Sequence, residues 1–424
     1  MGEIVGEIVG EKVDQRAAQP ADAVAILRTT SAVRSRSAQL LERARSGSSR
    51  WFTVCDAGLL VAAEEVAAVT RTRYPDLAIP YHSRWRQFEV GGVDRRTELD
   101  GLLAAGGQQE RARAMVDLTV VSVLLDAGAG ACWGFVEDRG DTRARFTRSE
   151  GLAVASWHAF VTGGFSSDPT RPMQVDAAAL RSMTEKGLAR LLQVAPGNHL
   201  VGLPGRVGLL RRLGCALAAQ PDLFGPQGRP GGLFDALATE SGSVDARDIL
   251  AHLLSSLSSI WPSGNVIGNF GLGDCWHHDA VAGPGLTAGW LPLHKLSQWL
   301  TYSLIEPFVW AGVTVTGVAE LTGLPEYRNG GLLLDGGVLK LRDRGCAERT
   351  WSPADELVVE WRALTVALLD ELAPLVRTQL GVDAEQMPLA CVLEGGTWAA
   401  GRASAQRLRD GLPPLAIASD GTVF

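Results

Sequence analysis

Residues 290–342 read WLPLHKLSQWLTYSLIEPFVWAGVTVTGVAELTGLPEYRNGGLLLDGGVLKLR. The first part reads as a helix, with His294, Lys295 and Gln298 at one end and Glu306 at the other. Pro307 ends or bends it, because proline has no N–H and crowds the preceding turn. A short apolar run follows. Then Pro325-Glu326-Tyr327-Arg328-Asn329-Gly330-Gly331 sets a carboxylate, a phenol, a guanidinium and an amide side by side. Its two glycines let backbone approach closely. Such polar chemistry between apolar runs marks a candidate site. It equally fits a capped helix start with a surface ion pair, worth only about 1 kcal/mol.

Outward from this stretch the chain is that of a globular protein, with 424 residues, 46% of them hydrophobic. The helical patterns lie at 21–45, at 146–163, 175–192, 203–219 and 244–260, and in an Ala-rich segment that ends near Arg73. A further helix opens at Ser352-Pro353-Ala354-Asp355-Glu356, with a serine cap, proline at the first position and acids at the positive end, and runs to about residue 380. Only FTVCD, VTVTGV and LLLDGGVLKL read as extended. The expected fold class is mainly α: a compact multi-helix domain over 21–424 with minor β. The proline- and glycine-rich loop 221–232 is where two lobes would divide.

The formal net charge of −7 argues against a broad nucleic-acid or anionic-membrane surface. No apolar run reaches the ~20 residues that span a bilayer. The first residues, MGEIVGEIVGEKVDQ, lack the basic start and apolar block of a secretory signal, and 1–20 reads as a flexible leader. Cys55, Cys132, Cys215, Cys275, Cys346 and Cys391 form no CxxC pair. That favours reduced thiols in a cytoplasm, with no cysteine-based zinc site.

Three other stretches concentrate chemistry. Residues 79–96, IPYHSRWRQFEVGGVDRR, place His82, Arg84 and Arg86 around Trp85. Cations beside an aromatic suit an anionic or planar ligand, or a loop tied by Arg–carboxylate pairs. The apolar run 115–125 ends at Asp126, with Trp133 beyond a set of small residues. A carboxylate there needs a partner, because burying it alone is costly. Residues 261–286 crowd Asp274, Trp276, His277, His278 and Asp279 among glycines. Adjacent histidines cannot both reach one ion from regular structure, and i, i+4 or HxH spacing is missing, so no metal is expected. The glycines match neither a P-loop nor a dinucleotide fingerprint, so no cofactor is expected either.

IPYHSRWRQFEVGGVDR, RSEGLAVASWHAFVTGGFSSDP, LHKLSQWLTYSLIEP and LTGLPEYRNGGLLLDGGVLKLRD closely resemble the uracil catabolism protein 4 family of fungi and bacteria. The resemblance runs from about residue 31 to 398. It implies a role in a uracil degradation route whose opened pyrimidine leaves a ribosylurea-type intermediate. The order of elements is also similar to the queuosine salvage family, queuosine 5′-phosphate N-glycosidases with a helical, DNA-glycosylase-like fold. Where that family carries a run like LLVLDALNFCFW, SVLLDAGAGACWGF keeps Asp126 and Trp133 but lacks the LNF triplet. Its LTxFADYRVPQ resembles LTGLPEYRNGG, which keeps Tyr327 and Arg328 and has Glu326 in place of Asp. LVVEWR, with Glu360 and Arg362, is similar to its EVEIR, and TWAAGR, with Trp398 and Gly401, to its LWxxGQ.

Together the resemblances imply a DNA-glycosylase-like fold and hydrolysis of the N-glycosidic bond of ribosylurea, or of its 5′-phosphate, to urea and ribose or ribose phosphate. On that reading Glu326, or else Asp274, stabilises an oxocarbenium-like state at C1′. His294 or a protonated Asp274 then gives the leaving urea its proton. Arg328 and Lys295 would bind phosphate, with Arg84 and Arg86 in reserve. Tyr327, Gln298, His82 and Asp126 are further substrate contacts, and Trp276 and Trp133 wall the pocket. The expected partner is a small nucleoside- or nucleotide-derived molecule, with no nucleic acid and no membrane. One rival is an amidohydrolase attacking the ureido carbonyl with a metal at His277, His278, Asp279 and His294. The other is a non-catalytic protein binding a uracil-derived ligand.

Overall fold

Helical patterns dominate the sequence, and helices dominate the computed structural model of the protein, which describes residues 17–238 and 242–418. The fold is mainly α, and the strands of the described residues pair only two by two. FTVCD supplies Phe52–Val54, which pairs antiparallel with Leu339–Leu341. VTVTGV supplies Thr314–Thr316, parallel to Ser243–Asp245. The LLLD of the third extended run instead closes the helix Tyr327–Asp335. Among the described residues no helix is long and apolar enough to cross a membrane.

The chain divides into two compact units. Of the described residues, the first comprises 17–81, 263–295 and 318–418, and the second 82–238, 242–262 and 296–317. The loop 221–232 lies inside the second unit. In the first, the helix Glu356–Leu380 is the spine. It packs against Thr30–Arg45 and Ala57–Arg73 and buries Trp361 and Arg362. In the second, Gly107–Leu124, Arg148–Val161 and Leu203–Ala218 surround a core of Val, Leu and Ala.

Local oxygen chemistry overrides the apolar period in several places. The single helix expected at 21–45 breaks into Pro20–Leu27 and Thr30–Arg45, because the Thr29 hydroxyl accepts the Ala32 amide and starts a new helix. Asp176 and Thr184 likewise cap Ala177–Ser182 and Glu185–Leu191 where one helix was expected. The long helix begins at Glu356, not at a serine cap: Ser352 donates its amide to Asp355 Oδ2. Pro307 stays inside the helix Lys295–Trp310. Of the expected leader, residues 1–16 lie outside the described residues. Ala17 is already buried, with its carbonyl on the Leu286 amide, and Pro20 opens a helix.

The helices Tyr327–Asp335 and Trp398–Arg409 cross at Gly401, where an added Cβ would stand 2.1 Å from the Arg328 carbonyl oxygen. Alanine normally gains about 1 kcal/mol over glycine inside a helix. Here the sign reverses. Gly401→Ala is expected to destabilise the protein by roughly 1–3 kcal/mol through overpacking, read as a lower urea midpoint at unchanged slope.

Candidate functional site

Three segments of the first unit meet around Asp274. The strand Cys275–His277 pairs with Trp290–Pro292, and this hairpin holds Asp274 at its mouth. The strand buries Cys275 and Trp276 and leaves His277 in solvent. Asp274 takes both arms of the Arg362 guanidinium, at 2.8 and 2.7 Å. It also accepts the Trp276 indole N–H at 2.6 Å and the Lys295 amide at 2.8 Å. The Arg362 Nε reaches back to the Pro325 carbonyl at 3.4 Å. One buried side chain therefore ties the Asp274 hairpin to the segment that carries Glu326.

Glu326 caps the helix Tyr327–Asp335, its carboxylate accepting the Arg328 amide at 2.7 Å and the Asn329 amide at 2.6 Å. Two glycines and a tryptophan fix the helix behind it, with Trp361 Nε1 donating to the Gly330 carbonyl at 3.2 Å. Asn329 is held between the Leu324 carbonyl and the Thr397 hydroxyl. The cap expected from the sequence is thus real. Glu326, Tyr327 and Lys295 nevertheless keep partial solvent access although protein packs closely around Glu326.

Electrostatics separates the two carboxylates. Burial works against charge on Asp274, but the Arg362 guanidinium outweighs it and holds the carboxyl down at about 2. Burial pushes Glu326 upward, against the pull of the Arg328 and Asn329 amides and of the Lys295 and Arg328 charges. Asp274 is therefore held ionised in the physiological range. His294 is also a poor acid. It is buried, its Nε2 lies 3.0 Å from the Leu27 carbonyl, and burial lowers its pKa. Its imidazole is neutral at pH 7 and its ring hydrogen points at a carbonyl.

Asp274 ties stability to pH. Its folded value of about 2 lies below the ordinary 3.8, so its contribution is complete above pH 4 and is lost as pH falls from about 4 to about 2. The loss should be roughly 2 kcal/mol. Denaturant midpoints measured across this window should fall in wild type, and fall less in Asp274→Asn.

The other expected ligands lie in two places. Arg328 is buried, lies over the Tyr327 ring at 4.7 Å and donates to the Gly411 carbonyl at 3.3 Å, while its Nε has no hydrogen-bond partner. Arg84, Arg86, His82, Gln298, Asp126 and Trp133 belong to the second unit. There Arg84 is fully buried, pairs with Asp126 at 3.2 Å and donates to Ser122 Oγ at 2.7 Å. It is the partner that the carboxylate at the end of the apolar run requires. Arg86 pairs with Glu306 at 2.5 Å and Glu89 at 3.1 Å. Trp133 is buried with its N–H on the Leu192 carbonyl. His82 and Gln298 are buried, the His82 ring 6.3 Å from that of Trp299. A cavity of roughly 430 Å³ in this unit is lined by Arg113, Arg171 and Arg229, each paired with Asp235, Glu110 or Asp117. None of the expected site residues lines it.

Arg362 belongs to a sequence motif but not to the set of site residues expected from sequence. Its partner Asp274 lies 88 positions away, and no spacing rule links them. Asn329, Thr397 and Trp361 were missed as supports for the same reason.

The family model described as "Protein of unknown function (DUF1688)" matches residues 26–424. Protein urg3 of Schizosaccharomyces pombe (strain 972 / ATCC 24843) is 38% identical over 412 residues, covering 95% of this chain and 99% of the relative. Uracil catabolism protein 4 of Lachancea kluyveri is 39% identical over 379 residues, covering 82% and 85%.

Proposed function

This chain belongs to the DUF1688 family, and from its likeness to the uracil catabolism protein of Lachancea kluyveri we propose that it serves uracil catabolism as an N-glycosidic hydrolase. The substrate is ribosylurea or its 5′-phosphate. Water adds its oxygen to C1′, the C1′–N bond breaks, and the nitrogen leaves with a proton as urea. Positive charge builds on the sugar as the bond lengthens, and a carboxylate beside C1′ stabilises it.

Glu326 is that carboxylate. The observation that carries this reading is the setting of Glu326: a closely packed acid that keeps partial solvent access, fixed by two amides, with the Lys295 charge near it. In further support, LVVEWR and TWAAGR, two of the segments similar to the glycosidase motifs, meet the one that carries it. Arg362 touches Pro325, Trp361 touches Gly330, and Gly401 abuts Arg328. The proton for urea comes from Lys295 or Tyr327, since Asp274 is ionised and His294 is neutral. Asp274 and Arg362 position the segment that carries Glu326.

The metal-dependent amidohydrolase has less support. His277 and Asp279 point into solvent, where they pair with each other at 3.3 Å, while His278 and His294 are buried, His294 on the Leu27 carbonyl. Those four side chains do not converge. A urease-coupled assay of purified protein with ribosylurea and with its 5′-phosphate tests the proposal. Urea release from at least one supports it, and the faster substrate shows whether phosphate is recognised. No urea from either rejects it.

A further inference from the structure

His278, excluded from any pairing with His277, meets two acids from a different element. Glu356 and Glu360 lie one turn apart at the start of the helix Glu356–Leu380, so both face the same side. One ligand atom from each of His278, Glu356 and Glu360 lies within 4.8 Å of the others. Glu360 is 1% exposed and His278 2%, while Glu356 retains partial access to solvent.

Each acid has one oxygen held from behind. Ser49 donates its hydroxyl to Glu360 Oε1, and Trp51 donates its indole N–H to Glu356 Oε1 at 3.0 Å. The Glu360 Oε2 faces His278 Nε2 at 3.2 Å. Two ligands each about 2.1 Å from one ion, at angles between octahedral and tetrahedral, stand roughly 3.0–3.4 Å apart. Among the described residues no lysine or arginine forms an ion pair with either acid. Two acids with only an imidazole between them are short of positive charge. Oriented ligands, outer-shell donors and a charge deficit are the ingredients of a metal site.

We infer that His278, Glu356 and Glu360 bind a divalent transition-metal ion. One imidazole and two carboxylates suit zinc or manganese rather than a soft ion. Glu356 gives the entry path. The ion takes the place of the His278 hydrogen at Glu360, and the ion-bound tautomer gives up the long 3.2 Å contact between His278 Nδ1 and the Ala280 amide. Glu360 and Arg362 are two residues apart, about 200° around the helix. The ion therefore lies on a different face from the Asp274 pair and clamps residues 49–51 and 278 onto the helix. Its role is structural and does not depend on the proposed reaction.

The test uses full-length protein stripped with chelator, then given zinc chloride or manganese chloride alone and desalted. One equivalent of at least one metal should remain per chain, with a raised melting temperature. Glu356→Gln should weaken binding at least tenfold. Should that variant fail to fold, the manganese-loaded wild type decides: imidazole nitrogen hyperfine coupling in its electron paramagnetic resonance supports the site. Substoichiometric retention of both metals, binding unchanged in Glu356→Gln, or manganese without nitrogen coupling overturns it. Because the readout is metal content and spectroscopy, urea release can fail or succeed without bearing on this site.

Discussion

Glu326→Gln is expected to lower the rate constant for urea release at least a thousandfold while the protein remains folded. The reason is charge. A carboxylate beside C1′ stabilises the oxocarbenium-like state far better than an amide of the same shape, and a single preorganised group in an active site contributes about 10²–10³-fold or more. Folding should suffer little. Glutamine retains one carbonyl oxygen for either the Arg328 or the Asn329 amide, while its NH₂ faces the other, so the helix cap weakens by about 1 kcal/mol. Burial raises the Glu326 pKa, which means that the fold favours the neutral form and that ionisation erodes stability as pH rises through the folded value. Removing the charge offsets part of the cap loss at neutral pH. The rate has the opposite dependence. It should rise with pH as Glu326 ionises, and this limb should be missing from whatever activity the variant retains. A variant within a few-fold of wild type would remove Glu326 from the chemistry.

Arg362→Met is expected to be the most damaging change of the buried charges in the first unit, at about 3–5 kcal/mol. It strips the bidentate partner from Asp274, leaving an ionised acid with only the Trp276 and Lys295 N–H groups. It also frees the Pro325 carbonyl, so the backbone before Glu326 loses its anchor. Thermal or urea denaturation reads the cost. Asp274→Asn in the same chain should recover more than 1 kcal/mol, because the stranded charge is then gone. Activity should stay low in both, since the anchor is still missing. A loss under 1 kcal/mol in the single variant would mean that the pair does not organise this region.

The helical class was legible where apolar residues recur at helical spacing, as in the segments that form Leu203–Ala218 and Ala246–Leu257. The breaks at Thr29 and Thr184 were less legible, since a capping hydroxyl is one atom against a whole apolar face. Glu326 stood out because its polar neighbours are adjacent in sequence. The Asp274–Arg362 pair and the approach of Glu356 and Glu360 to His278 did not, because they are made by chain segments 78 to 88 residues apart. Arg84 and Arg86 fitted either a ligand site or Arg–carboxylate pairs, and they pair with Asp126 and Glu306. An arginine-rich segment does not disclose which acids will fold onto it.

Which bond breaks is the central question, and carbon-13 NMR of the purified protein with ribosylurea labelled at C1′ and at the ureido carbon reads it directly. The C1′ signal is expected to move to that of the free sugar while the ureido carbon appears as urea. Conversion of the ureido carbon to carbonate, with C1′ still bonded to nitrogen, would contradict glycosidic cleavage.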